Sequence, residues 1–240
     1  MASVTTTRPS LSSNDAAVLQ ALFDAESSPS SGVTIDSTLP AWPAAVHISP
    51  EDLISLKERE VEIVRQLQET PSHDTVKAAI QKFDSLLSQY STYPSAYINR
   101  AQALRMLDDA LFTPKTADIS SKIFADLSKA ITLATPVSPA DSVSSVQARL
   151  LADAHTHRGY LLLKAARMQK EILGDKTERT LPDSLAKLEP DQIEEMASRD
   201  FFFGGRYGNK VAQQLAVQTN PYAKMCGAIV KEAMRKEIHG

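Results

Sequence analysis

Between Gly32 and Gly159 the chain carries no glycine, and only eight occur in its 240 residues. Nucleotide-binding α/β folds turn from strand to helix on clustered glycines, which let the backbone approach a phosphate. That turn cannot be built in the first two-thirds of this chain. The later cluster, Gly204-Gly205-Arg206-Tyr207-Gly208, lacks phosphate-cradle spacing. No G-x-S-x-G, H-E-x-x-H or C-x-x-C occurs either. No segment alternates apolar and polar residues with a period of two, so the expected class is all-α.

The helices announce themselves by their ends. Ser49-Pro50-Glu51-Asp52 is a helix start, with Ser as N-cap, Pro at the first position and acids in the first turn. Leu53, Leu56, Ile63, Val64 and Leu67 follow at helical spacing up to Pro71. Further helices are expected from about Asp74 to Leu87, from Tyr93-Pro94 to Leu107, and over Ile123–Leu133. A long one follows over 142–173, then one from Pro190 to Phe203, and two more over about 209–218 and 221–238. Residues 1–13 read as disordered and 14–24 as a short amphipathic helix with Val18, Leu19, Leu22 and Phe23 on one face. Residues 25–49, rich in Pro and Ser, read as a linker whose Trp42 is either an anchor on the folded part or a partly exposed aromatic. The folded domain is expected over 50–240.

Composition removes several function classes. Hydrophobic residues make up 42%, charged residues 23%, and mean hydropathy is −0.22, as in soluble globular chains. A formal charge of −3 gives no electrostatic case for nucleic-acid binding. No apolar run is long enough for a membrane span, and the first ten residues lack the apolar core of a secretory signal. The single cysteine, Cys226, suits a reducing compartment, so the expected location is the cytoplasm, with the nucleus open. Cys226 reads as a packing residue rather than a reactive thiol. No cofactor and no metal is expected.

Three helix pairs share a pattern. Their second helices carry Ala79, Phe83 and Leu86; then Ile123, Leu127 and Ala130; then Ala197, Phe201 and Gly204. Two first helices match, Tyr97-x-x-Arg100-Ala101-x-x-Leu104 and His155-x-x-Arg158-Gly159-x-x-Leu162. This is the tetratricopeptide pattern, in which a small residue lets two helices approach and a large one fills the groove beside it. The expected fold is therefore a tetratricopeptide-repeat helical array of three pairs, closed by a C-terminal capping helix. A regular 34-residue unit places the small residue about 12 positions before the next repeat residue. Ala101 to Ile123 and Gly159 to Ala197 are longer, by about ten and about 26 residues. Both insertions are expected to project from one edge.

Three segments together resemble the tetratricopeptide repeat protein 36 family: Asn14-Asp15-x-x-Val18-Leu19-Gln20-Ala21-Leu22-Phe23, Ala96-Tyr97-x-Asn99-Arg100-Ala101-Gln102-Ala103, and Asn220-Pro221-Tyr222-Ala223-x-Met225-Cys226. The insertions make the chain a divergent member, fungal-type or other. The resemblance implies a non-enzymatic adaptor that binds another protein, with a heat-shock chaperone or a metabolic enzyme as candidate, and links it to chaperone binding and tyrosine metabolism. Repeat proteins that grip an acidic chaperone C-terminus use Lys, Asn and Arg on their leading helices to clamp two carboxylates. The corresponding positions here are Glu60, Val64, Asn99, Asp153 and His157, and only Asn99 fits, so the conventional clamp is not expected. Two other classes remain as alternatives: a structural subunit of a larger assembly, and an enzyme with an unrecognised site.

Asn99, Arg100, Gln102 and His157 are the candidate groove residues. Arg100 and Arg158 recur beside the small packing residue, where pairing with a carboxylate competes with ligand binding. Of His155 and His157, two apart on a helix, one belongs in the core and one in the groove. Phe201 fits the core, so Phe202 or Phe203 should face a neighbour or partner. Arg199, Asp200 and Arg206 read as a solvated face.

Overall fold

The computed structural model describes residues 33–107, 111–138, 140–172 and 180–220, together with Arg235. Among these, all regular structure is helical apart from one isolated bridge, Ile35 with Val143. The helices are α1 (Pro50–Arg65), α2 (His73–Gln89), α3 (Pro94–Arg105), α4 (Ala117–Ala134), α5 (Ser145–Ile172), α6 (Asp183–Ala186), α7 (Pro190–Arg206) and α8 (Lys210–Thr219), preceded by a 3₁₀ turn at Ala44–Val46. The N-terminal helix expected over 14–24 and the capping helix expected over 221–238 lie outside the described residues. So do Asn14, Asp15, Pro221, Tyr222 and Cys226.

Local chemistry starts these helices. The Ser49 and Ser72 hydroxyls accept from the backbone N–H of Asp52 and Thr75, at 3.0 and 3.1 Å. Glu189 and Gln192 form a reciprocal capping box around Pro190. Asn209 caps α8. Gly208, at φ +104°, makes the turn between α7 and α8 in a conformation that L side chains rarely adopt.

Each helix packs mainly on its sequence neighbours, except that α7 packs on α5, while the short α6 buries Leu185 in the core. Ala79, Phe83, Ala101, Leu127, Ala130, Ala197 and Phe201 are all fully buried. The approach of α5 to α7 is close: a Cβ on Gly159 would lie 2.9 Å from the Phe201 ring, and one on Gly204 would lie 2.6 Å from the Thr156 hydroxyl. Gly159 meets Ala197 and Phe201, while the later Gly204 meets the earlier Ala152 and Thr156, so the two helices run antiparallel.

Two expectations need correcting. Residues 33–49, expected to be linker, form a strap bound to the helices. The Asp36 N–H donates to the Val143 carbonyl and the Val143 N–H donates to the Thr34 carbonyl, both at 2.9 Å. The Ser144 hydroxyl donates to the Ala41 carbonyl, and the Thr92 hydroxyl donates to the Val46 carbonyl. Val46 is buried and Trp42 stands edge-on to Tyr93 at 6.2 Å. The strap binds because its backbone groups find partners and its few apolar residues find core. The insertions also do not simply project. Leu111 and Phe112 of the first are buried, and the Phe112 carbonyl accepts from the backbone N–H of Thr180 in the second at 2.8 Å.

Candidate functional site

The strap closes one end of a cleft between α3 and α5, with a cavity of about 390 Å³. Its apolar floor is Trp42, Ile98, Val146 and Leu150. Its polar rim includes Asn99 and Gln102 from α3 and Arg149 and Asp153 from α5. Successive turns of each helix supply these residues, because positions three and four apart share a face. The Trp42 indole N–H is buried and has no acceptor among the described residues.

Of the expected groove residues, Asn99 and Gln102 do line the cleft. The Asn99 amide is already engaged: it donates to Glu60, which also accepts from the Tyr93 and Ser95 hydroxyls at 2.6 and 2.5 Å. Glu60 is itself buried, so three neutral donors replace the water it has lost. Burial and the nearby Glu60 charge push the Tyr93 phenol up. His157 lies outside the cleft lining, half-buried, with Nε2 3.4 Å from Arg105. Burial first, and the Arg105 charge second, push its imidazole down to about 4. It is therefore neutral at pH 7.

Arg100 is a correction. It turns away from the cleft, with Nε donating to Asp126 at 2.8 Å, Nη2 donating to the same carboxylate, and Nη1 donating to Asp84 of α2 at 2.7 Å. Asp84 also receives Lys122 at 3.2 Å. Arg158 repeats this geometry one pair later. Its Nε and Nη2 donate to Asp200 at 2.7 and 2.8 Å, and Nη1 reaches back to the Ser128 hydroxyl at 3.0 Å. Asp126 and Asp200 each precede the large residue of their helix, Leu127 and Phe201, while Asp84 and Ser128 each follow it.

Asp200, expected on a solvated face, is buried instead. Its second partner is His155, whose Nδ1 lies 2.8 Å away and whose ring stacks on Phe203 and Tyr207. Burial pushes the Asp200 carboxyl up, but the bonds from Arg158 and His155 outweigh it and hold it below the usual range. Phe201 is buried, Phe202 is 51% exposed, and Phe203 is half-buried against His155. Among the described residues no three His, Cys, Asp or Glu side chains are placed to hold a metal, and no helix is long and apolar enough to cross a membrane.

The chain is 61% identical over 255 residues to the L-tyrosine degradation gene cluster protein hmgX of Aspergillus fumigatus, covering 100% of this chain and 99% of that protein. It is 24% identical over 223 residues, 93% of this chain and 94% of the relative, to the tetratricopeptide repeat protein 36 homolog of Drosophila pseudoobscura pseudoobscura. No protein-family profile and no solved structure matches it.

Proposed function

The chain belongs to the family of the tyrosine-degradation cluster protein hmgX, and from that premise we propose that it is a non-enzymatic adaptor serving tyrosine breakdown in the cytoplasm. The cleft between α3 and α5 holds a segment of a partner protein. The observation that carries this reading is the cleft itself: an apolar floor and a polar rim between two helices. A peptide segment offers apolar side chains to such a floor and backbone polar groups to such a rim.

The array is of the tetratricopeptide type. Support comes from the two Arg–Asp ties at matching repeat stations and from small residues at the helix crossings. The weak likeness to a tetratricopeptide repeat protein 36 homolog agrees with it. The partner is a metabolic enzyme rather than an acidic chaperone tail held in the conventional clamp. Glu60 already occupies the one matching asparagine, and Asp153 adds another carboxylate to the rim.

The test is affinity purification of the tagged chain from cells growing on tyrosine, with partners identified by mass spectrometry. Val146 is 40% exposed on the cleft floor, so Val146→Arg should abolish the main partner without lowering the melting temperature. A partner retained by that variant would refute the cleft as the binding surface. Half-exposed Phe202 favours one further reading, a subunit of an obligate assembly. A monomer-sized species in lysate would dispose of it.

A further inference from the structure

A second, larger cavity, about 720 Å³, opens between α4 and α7 over α5, with α6 at its edge. Its size suits a small organic ligand. Carbon lines most of it, from Phe124, Leu162, Leu185, Met196 and Phe203. At one side the Arg158–Asp200–His155 cluster reaches the lining. Both Asp200 oxygens are engaged by Arg158 and His155, so this carboxylate presents no free acceptor of note.

The charges differ between the two helix pairs. In the preceding pair, Arg100 and Lys122 face two carboxylates, Asp84 and Asp126. Ser128 stands where Asp84 would, so Arg158 faces only one carboxylate. Arg199, on the same lining, rests 6.0 Å over the Phe203 ring and has no carboxylate partner among the described residues. The remaining carboxylate on the lining, Asp183, is exposed on α6. The pocket thus combines an apolar wall with two guanidiniums and two carboxylates, of which Arg158 and Asp200 are tied to each other while Arg199 has no ion-pair partner among the described residues.

The geometry points to a binding site for a small organic carboxylate with an apolar, ring-sized body, its anion on Arg199 and its body against Phe124, Leu162 and Phe203. Guanidinium is suited to this by its planar fork of donors. The cluster beneath is already tied by hydrogen bonds, so binding need not order it. This site is separate from the α3–α5 cleft and stands or falls independently of the proposed adaptor role.

Phenylacetate is the probe, with benzyl alcohol and benzylamine as neutral and cationic counterparts, titrated calorimetrically into the full chain. Phenylacetate should bind about tenfold more tightly than either counterpart, the difference that one charge-assisted bond supplies. Arg199→Met should remove that preference while leaving the melting temperature unchanged, since Arg199 is exposed. Met196→Glu, also at an exposed position of the lining, should weaken phenylacetate through charge repulsion. The cleft variant Val146→Arg should bind phenylacetate like the wild type. No binding at millimolar phenylacetate, equal binding of benzyl alcohol, or an unaltered preference in Arg199→Met would each overturn the site.

Discussion

The Arg100–Asp126 tie between α3 and α4 and the Arg158–Asp200 tie between α5 and α7 are built alike and surrounded differently. In the first, a second acid and a lysine complete a closed, charge-balanced knot. In the second, a serine replaces the second acid and a histidine joins the first. Both helix pairs keep the arginine–aspartate tie within the pair, and they differ in the bridge to the preceding pair. Where a serine rather than an acid makes that bridge, a cavity lies beside the tie, with Arg199 on its lining.

The largest effect that separates the two ties should come from removing Asp200. Asp200→Ala strands Arg158 and His155 beside an apolar core, and breaking a buried ion pair typically costs about 3–5 kcal/mol. Melting should fall by roughly 10 °C for a domain of this size. Asp126→Ala should cost less, because Arg100 keeps Asp84. Equal losses would mean that the second acid contributes nothing to the first tie.

Next is the helix crossing beside each arginine. Gly159 abuts the Phe201 ring, whereas Ala101 already carries a Cβ in the matching place. Gly159→Leu should overpack the α5–α7 crossing and cost roughly 1–3 kcal/mol in urea unfolding. An unchanged midpoint would place Gly159 away from a close crossing.

The paired histidines give a pH test. His155 is held by an acid, whereas burial and Arg105 depress His157 to about 4. A depressed imidazole favours the folded state only while it is neutral. Its contribution is present above the unfolded value of about 6.5 and is lost as pH falls toward 4. His157→Gln should therefore flatten the stability profile between these values, by on the order of 1–2 kcal/mol. Asp200, with a lowered carboxyl, acts in a more acidic window: its contribution holds above about 3.9 and fades as pH falls below that. A His157→Gln profile that overlays the wild type between pH 6.5 and 4 would show that the imidazole is solvated.

The smallest expected effect is the most discriminating. Ser128→Asp rebuilds the first tie at the second station. Stability should change by less than about 1 kcal/mol, as for partly exposed ion pairs. Phenylacetate affinity should drop, because Ser128 is on the cavity lining and a carboxylate there repels the anion. Unchanged affinity would show that the anion is not held in this cavity.

Helix starts and core stations are legible in the residues because their causes are local. Ser49, Ser72 and Asn209 cap through bonds three residues long, and Phe83, Leu127 and Phe201 recur at helical spacing beside small residues. The two arginines can be recognised as a recurring pair, yet only tertiary structure shows that Arg100 faces inward to Asp84 and Asp126. Asp200 reads as surface in the sequence, because a charged residue beside aromatics looks solvated until its partner, 42 residues away in Arg158, is known.

The same physics explains the strap and the cavity. Residues 33–49 have no helical or alternating pattern, so nothing local says that they bind. Their bonds run to Thr92, Val143 and Ser144, and the Ser144–Ala41 bond spans 103 positions. The cleft beside Trp42 exists because that strap returns, and the larger cavity exists because α4 and α7 are held apart over α5. Periodicity and capping specify which segments become helices. Interactions between residues far apart in the chain, which no short-range pattern encodes, decide which charges are spent on the fold and which stay exposed.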